Sequence, residues 1–550
     1  MKRGYQRDTF GISPGILMNA SKGSFKKVIR WDKFFKPTAD IKYMLLLFII
    51  AIYPLIVIPG PLDFFRGPRY VFLAVVALIG IYVLCKEKIN LKHRVFIPLG
   101  LFLLFIFLSA VLSQDTSTGF IGSSMRYTGW MTYVFCVVVF LLAYNYGEYE
   151  KIFKPMIYAA VIVAIIGIMQ FYGVNFVPHE YIDSSAYSTM GNTNWLATYL
   201  VIILPVPILL YLFNNDRKML IMSGIMYAGL LVSLTRGAWI AFFLAFVIIF
   251  AYSIFKKSYL KNLINIVIVF ALVTIILLPA NDGLIYKRVF SIPENINSAV
   301  KNEGEAGSNR VEIWNKTLEV AGDNLILGVG PDQLAIQMEK GGVMDKAHNI
   351  YLEILATMGL PALISFLVFM GFFLRRWSDE TGFIFLIVII TYLLQGFFNN
   401  DVIMVMPIFW IILGLALANQ ENLSQNKNAL YVKGCGFYGI GMVLFGLIIA
   451  MAVYFNYPSY KTVYFPEGQK YSGEFRGSTF YGKGRFESLG TVYVGDFRYG
   501  QFDGEGKMTF YNGGYYEGEF SRGKMHGDGK MVLPDGREIE GIWKNGVYQE

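Results

Sequence analysis

The side chains of this sequence best suited to carry chemistry are Arg236, Arg310 and His348. Arg236 stands in SLTRGAW, in a turn of very few residues between two apolar runs, and Arg310 stands in GSNRVEIW beside an amphipathic turn. A guanidinium can hold two phosphate oxygens at once, so a pair of arginines suits a diphosphate. His348 lies in AHNIYLEILATMG, at the entrance of an apolar helix. The positive end of that helix disfavours an imidazolium and leaves a neutral ring able to accept a proton near pH 7, as a general base must. Asn192 and Asn194, in MGNTNWLATY, and Asn349 beside the histidine are supporting candidates. Each has a plainer reading: a lone histidine at a helix start is ordinarily a cap, and a loop arginine is ordinarily solvated. Cys85, Cys136 and Cys435 lie singly in apolar runs and read as small core residues, with no disulfide or zinc spacing. No D-x-D pair occurs, and the expected site has no metal and no cofactor.

The elements that must position these residues are set by composition. Of 550 residues, 55% are hydrophobic and 16% charged, so a bilayer is the main solvent. Apolar runs near spanning length fall at about 41–59, 70–85, 95–112, 129–146, 155–172, 193–213, 219–233, 237–255, 262–280, 349–374, 381–398, 402–419 and 434–455. The expected fold is therefore an all-α polytopic membrane protein of 12–13 transmembrane helices. A small all-β domain follows it. With a basic tail over 1–40 placed inside, the inner segments hold 25 Lys and Arg, against four (Arg66, Arg69, Arg126 and Arg236) in the short outer loops. That asymmetry makes the N-terminus cytoplasmic. It also accounts for the net charge of +9, since the excess lies beside membrane segments and no nucleic-acid motif accompanies it. No cleavage site follows the first apolar run, which reads as a retained helix in a multi-pass protein of the cytoplasmic membrane.

The same alternation places a long loop, 281–347, on the outer side with Arg236 and His348. Helical patterning at VEIWNKTLEV and DQLAIQMEK makes it a small folded cap, expected to cover a site. An additional helix at 434–455 carries everything after it to the outside as well.

From 471 the chain repeats: Tyr471-Ser-Gly473, Tyr493-Val-Gly495, Tyr516-Glu-Gly518 and a degenerate Ile539-Glu-Gly541, at spacings of 22 or 23 residues. Glycine pairs follow at Gly482/Gly484, Gly504/Gly506 and Gly527/Gly529. So regular a period means stacked units, each burying its aromatic face against its neighbours. These residues resemble the MORN repeat, a β-hairpin with the pattern YxGxxxxGxxxGxG, and assign 465–550 to a MORN-repeat β domain. The resemblance implies a scaffold or dimerisation module, or contact with lipid, glycan or peptidoglycan.

The membrane body resembles the O-antigen ligase and polymerase superfamily over about 41–420. The carrying segments are MGNTNWLATYL, SLTRGAWIAFFLAF, NRVEIWNKTLEVAGDNLILGVGPDQL and AHNIYLEILATMGLPALISFL, in that order, with the large loop before AHN. The resemblance implies a membrane glycosyltransferase that polymerises or transfers an undecaprenyl diphosphate-linked glycan to a glycan, lipid or protein acceptor. It further implies the outer face as the place of reaction, Arg236 and Arg310 as diphosphate-binding residues, and His348 as the base in an inverting, metal-independent attack. A transporter or flippase would instead put charged or broken helices at the bilayer midplane. A non-catalytic scaffold would need none of these residues.

Overall fold

The computed structural model describes residues 41–549 apart from 59–63, 87–88, 92, 178–185, 301–309, 336–345, 375–376, 378, 425–430, 433–457, 466–468, 477–478 and 499. The basic tail and the apolar run at 434–455 lie outside the described residues. The other twelve apolar runs are all helical. In chain order the helices are α1 (Ile41–Leu47, extended by tight turns to Leu55), α2 (Arg66–Lys86), α3 (Phe96–Val111), α4 (Thr116–Ile121), α5 (Trp130–Tyr146), α6 (Tyr149–Phe171), α7 (Thr193–Ile203), α8 (Pro205–Asn214) and α9 (Arg217–Val232). There follow α10 (Arg236–Phe255), α11 (Leu260–Leu277), α12 (Ala280–Val300), α13 (Arg310–Asp323), α14 (Ile350–Met358), α15 (Leu360–Leu374), α16 (Glu380–Gly396) and α17 (Met406–Ser424). Among the described residues, five segments are long and apolar enough to cross a membrane: Arg66–Lys86, Tyr149–Phe171, Thr193–Asn214, Arg236–Phe255 and Lys257–Leu277. Shorter apolar helices pack among them.

Small residues set the closest helix approaches, as they must where lipid supplies no hydrophobic drive between helices. Gly229 of α9 leaves room for Ala164 of α6 and Leu200 of α7, and Gly414 of α17 lies against Ala143 and the backbone of α5. Large apolar side chains on α10 and α11, among them Phe243, Ile275 and Ile276, point outward.

Two segments differ from the sequence expectation. The apolar run 349–374 is two helices, because Gly359 takes φ 87 where the backbone of Ile326 leaves no space for a side chain. The segment 281–347 does not begin as a loop: after a left-handed kink at Asn281, Asp282 and Gly283 it continues as α12. VEIWNKTLEV is α13 as expected, while the description of DQLAIQMEK stops after Ala335.

A two-residue strand, β1 (Ile89–Asn90), pairs with β2 (Tyr431–Val432) and so ties the segment after α2 to the one after α17. The C-terminal part is a nine-stranded antiparallel meander in strict chain order: β3 (Pro458–Tyr464), β4 (Lys470–Arg476), β5 (Thr479–Ser488), β6 (Thr491–Arg498), β7 (Gln501–Thr509), β8 (Tyr515–Ser521), β9 (Lys524–Val532), β10 (Glu538–Lys544) and β11 (Val547–Tyr548). Its register explains the repeat. Gly473, Gly484, Gly495, Gly506, Gly518, Gly529 and Gly541 pair successively into one row across seven strands. Tyr471, Tyr493 and Tyr516 lie over that row, where a Cβ at any of the first six glycines would strike their hydroxyls. The hydroxyls donate to the carbonyls of Glu474, Asp496 and Glu519. Aromatic rings fill this face, with Tyr471 stacked on Phe480 and Tyr493 on Phe502. The opposite face carries ion pairs such as Lys507–Glu517 and Lys530–Glu538.

Candidate active site

Three helix starts and one turn converge through a chain of hydrogen bonds. At α10, the connection from α9 is as tight as the sequence suggests: Leu234 takes φ 55 and Thr235 precedes Arg236, the first helical residue. The Thr235 hydroxyl donates to the carbonyl of Thr193 at 3.3 Å, joining α10 to the start of α7. There Asn192 is the N-cap, its side chain accepting from the amide of Asn194 at 2.8 Å. The side chain of Asn399, in the turn between α16 and α17, donates to the Asn194 carbonyl at 3.3 Å and to the Thr198 hydroxyl at 2.7 Å. Next to it, Asn400 Oδ1 accepts from the amide of Asn349 at 3.2 Å. Asn349 caps α14 by accepting from the amides of Tyr351 and Leu352.

His348 stands one residue outside α14, half-buried, with φ 50. A left-handed conformation is costly for a residue with a side chain and persists where its surroundings impose it. The segment before it is held from above by α13, whose Trp314 indole donates to the Ala347 carbonyl at 3.0 Å. Arg310 lies four residues before Trp314 and thus on the same side of α13. Burial first, and then the positive charge of Arg236, push the Arg310 guanidinium below its ordinary range. The two arginines chosen from sequence are therefore electrostatic neighbours, and α13 ties one of them to the histidine segment. A third arginine joins them: Arg288 of α12 donates to the Leu234 carbonyl at 3.1 Å, and its charge acts on Arg236.

Beneath His348 lies a buried ionic cluster that sequence reasoning did not find. The Lys346 amine sits 2.7 Å from Asp332 and 2.7 Å from Glu353. Burial alone would lower its pKa, but the two carboxylates reverse the sign and hold it raised. Asp332 also accepts from Ser123 and Thr128, and Glu353 accepts from the amide of Ala347 at 3.0 Å. The loop bearing Asp332 is clipped in place by backbone bonds from Val329 and Gly330 to the last carbonyls of α14. Those bonds bring the chain so close that Gly328 admits no side chain. Asp401, in the turn after α16, faces the same small cavity as Lys346, Glu353 and Tyr133. Its burial lifts its carboxyl to about 6, against the lowering effects of the Tyr392 hydroxyl and Lys346. One sequence signal was available for these residues: Asp401 is a charge in a short turn between apolar runs, as Arg236 is.

Arg69, one of the arginines expected from sequence in a short outer loop, has structural employment. Arg69, fully buried, donates to the carbonyls of Tyr53, Pro54, Phe65 and Thr189, each at 2.9 Å. Among the described residues, no group of three His, Cys, Asp or Glu side chains has the arrangement of a metal site.

The fold and this site define a polytopic membrane protein with a polar centre built at helix ends and a separate β-repeat sheet. Residues 219–367 match the family described as O-Antigen ligase, and residues 493–515 and 516–536 match the MORN repeat. The stretch similar to the O-antigen ligase family includes Arg236, Arg310 and His348, and the MORN-repeat match lies after it in the chain. No curated protein matches the chain.

Proposed function

We propose that the membrane body, about 41–420, is a glycosyltransferase that moves an undecaprenyl diphosphate-linked glycan onto a glycan, lipid or protein acceptor at the outer face of the cytoplasmic membrane. What supports this reading is the polar centre at the helix starts, where α10 and α7 are joined by Thr235, the charge of Arg236 acts on Arg310, and Trp314 of the same helix as Arg310 holds the His348 segment. A guanidinium whose charge is disfavoured by burial and by Arg236, as that of Arg310 is, gains most from an anion, and a diphosphate is the dianion a lipid-linked sugar brings. His348 removes the proton from the acceptor hydroxyl. The freed oxygen attacks the anomeric carbon from the side opposite the lipid diphosphate, the new C–O bond forms as the old one breaks, and the configuration inverts. The departing diphosphate keeps the electron pair, and its charge is met by Arg236 and Arg310.

The test is transfer from a purified lipid diphosphate-linked glycan by the full chain and by Arg236→Ala, Arg310→Ala and His348→Ala. The His348 variant is expected to lose roughly 10²–10⁴-fold in rate, the usual worth of a general base. The arginine variants are expected to lose donor binding while all three still insert in the membrane. Undiminished transfer by His348→Ala sinks the reading. Deleting the gene separates the two modes: lost long chains with single units still attached mean polymerisation, and accumulated lipid-linked polymer means ligation.

A further inference from the structure

One side of the MORN sheet carries a groove that its own folding does not require. It is open, about 630 Å³ in volume, and runs between the β5–β6 hairpin tip and the β7–β8 connection. Phe486, Phe502, Met508 and Tyr493 form its floor, with Leu489 and Tyr511 at its rim and the hydroxyls of Ser488 and Thr491 alongside. No lining residue is charged.

The rim residues are the informative ones. Leu489 is 77% and Tyr511 80% exposed, at turn positions where apolar side chains gain nothing from the fold. Leu489 also takes φ 48, a left-handed conformation that costs a leucine about 1–2 kcal/mol. The left-handed residues at two other hairpin tips, on the opposite edge of the sheet, are Arg522 and Asn545, both polar. Neither packing nor turn geometry selects Leu489.

We propose that this groove binds an uncharged stretch of carbohydrate chain. Flat ring faces carry partial negative charge and suit the C–H faces of sugar rings, while neighbouring hydroxyls suit their oxygens. Anionic headgroups would require cations, but the sheet's Lys507, Arg485 and Lys530 are on the opposite face and paired with Glu517, Glu487 and Glu538. The step from one hairpin to the next is two strand spacings, roughly 9–10 Å, so successive units meet a repeating ligand at regular intervals. The proposal rests on the glycan-transfer reading of the membrane body, since the bound chain is then its product.

The experiment uses the full chain in detergent and, as probe, the polysaccharide released from the surface of the cells that make it. Wild type is expected to bind. The Tyr511→Ala/Leu489→Ser double variant is expected to weaken binding at least about tenfold, with unchanged hydrogen-exchange protection of the sheet. Arg485→Ala, on the charged face, binds as wild type. Equal binding by the double variant overturns the proposal. So does binding of phosphatidylglycerol vesicles in place of glycan, or a change of oligomeric state in the double variant, which would make the groove a contact between copies. Arg236→Ala keeps groove binding while losing transfer; groove binding with normal transfer by Arg236→Ala would instead remove the catalytic reading alone.

Discussion

Lys346 does for the site what no surface lysine does, because both of its partners are buried with it. Removing one member of such a cluster leaves uncompensated charge and costs about 3–5 kcal/mol. Lys346→Met is therefore expected to lower the thermal unfolding midpoint of the detergent-solubilised chain sharply, since Asp332 and Glu353 would then face each other alone. Lys316→Met, which breaks the more exposed pair with Glu312, is expected to cost less than about 1 kcal/mol. Equal midpoints for the two variants would show that the buried cluster does not hold the His348 segment. At this scale the sequence revealed much and missed much. Arg236 and His348 were singled out as exceptions, a charge against the orientation rule and one of four histidines, and Arg310 by its place beside an amphipathic turn and by the family resemblance. Asp332, Glu353 and Arg288 are ordinary residues in helical or loop contexts; only the fold makes them neighbours. Asn192 and Asn349 were legible as polar groups at helix starts, and the structure gives their side chains capping bonds.

Among the elements, the sheet is explained by its glycine row. A methyl group at Gly495 would stand 2.5 Å from the Gly506 Cα and 2.6 Å from the Tyr493 hydroxyl. Gly495→Ala is expected to destabilise β6 and β7 by about 1–3 kcal/mol, the usual cost of overpacking, read as faster amide exchange there. Gly322→Ala in α13 meets nothing within 4 Å and is expected to slow exchange in its helix, gaining up to about 1 kcal/mol. A periodic pattern declares itself in sequence, which is why the strands and the first twelve helical runs were legible. What escaped is aperiodic. The break at Gly359 depends on where Ile326 comes to rest, and α12 carries enough polar residues to read as loop. A glycine that stops a helix and one that tolerates close packing look alike until the neighbour is known.

For the whole molecule, the pairing of β1 with β2 puts the segments after α2 and α17 at one end of the membrane body, in keeping with a strict alternation of helices. The side reached by the sheet then depends on the run at 434–455. Protease added to intact cells is expected to remove 458–550 while sparing the helices; protection of the sheet in intact cells and cleavage only after lysis would reverse its placement. The meander adds a separate consequence. Every strand from β4 to β10 pairs only with its immediate neighbours in the chain, and no strand returns across the sheet. Whole hairpins are thus free to be gained or lost by unequal recombination without disturbing those that remain. The appendage is built like a ruler that can be lengthened or shortened one graduation at a time, while the membrane body, laced together by distant contacts, has no such freedom.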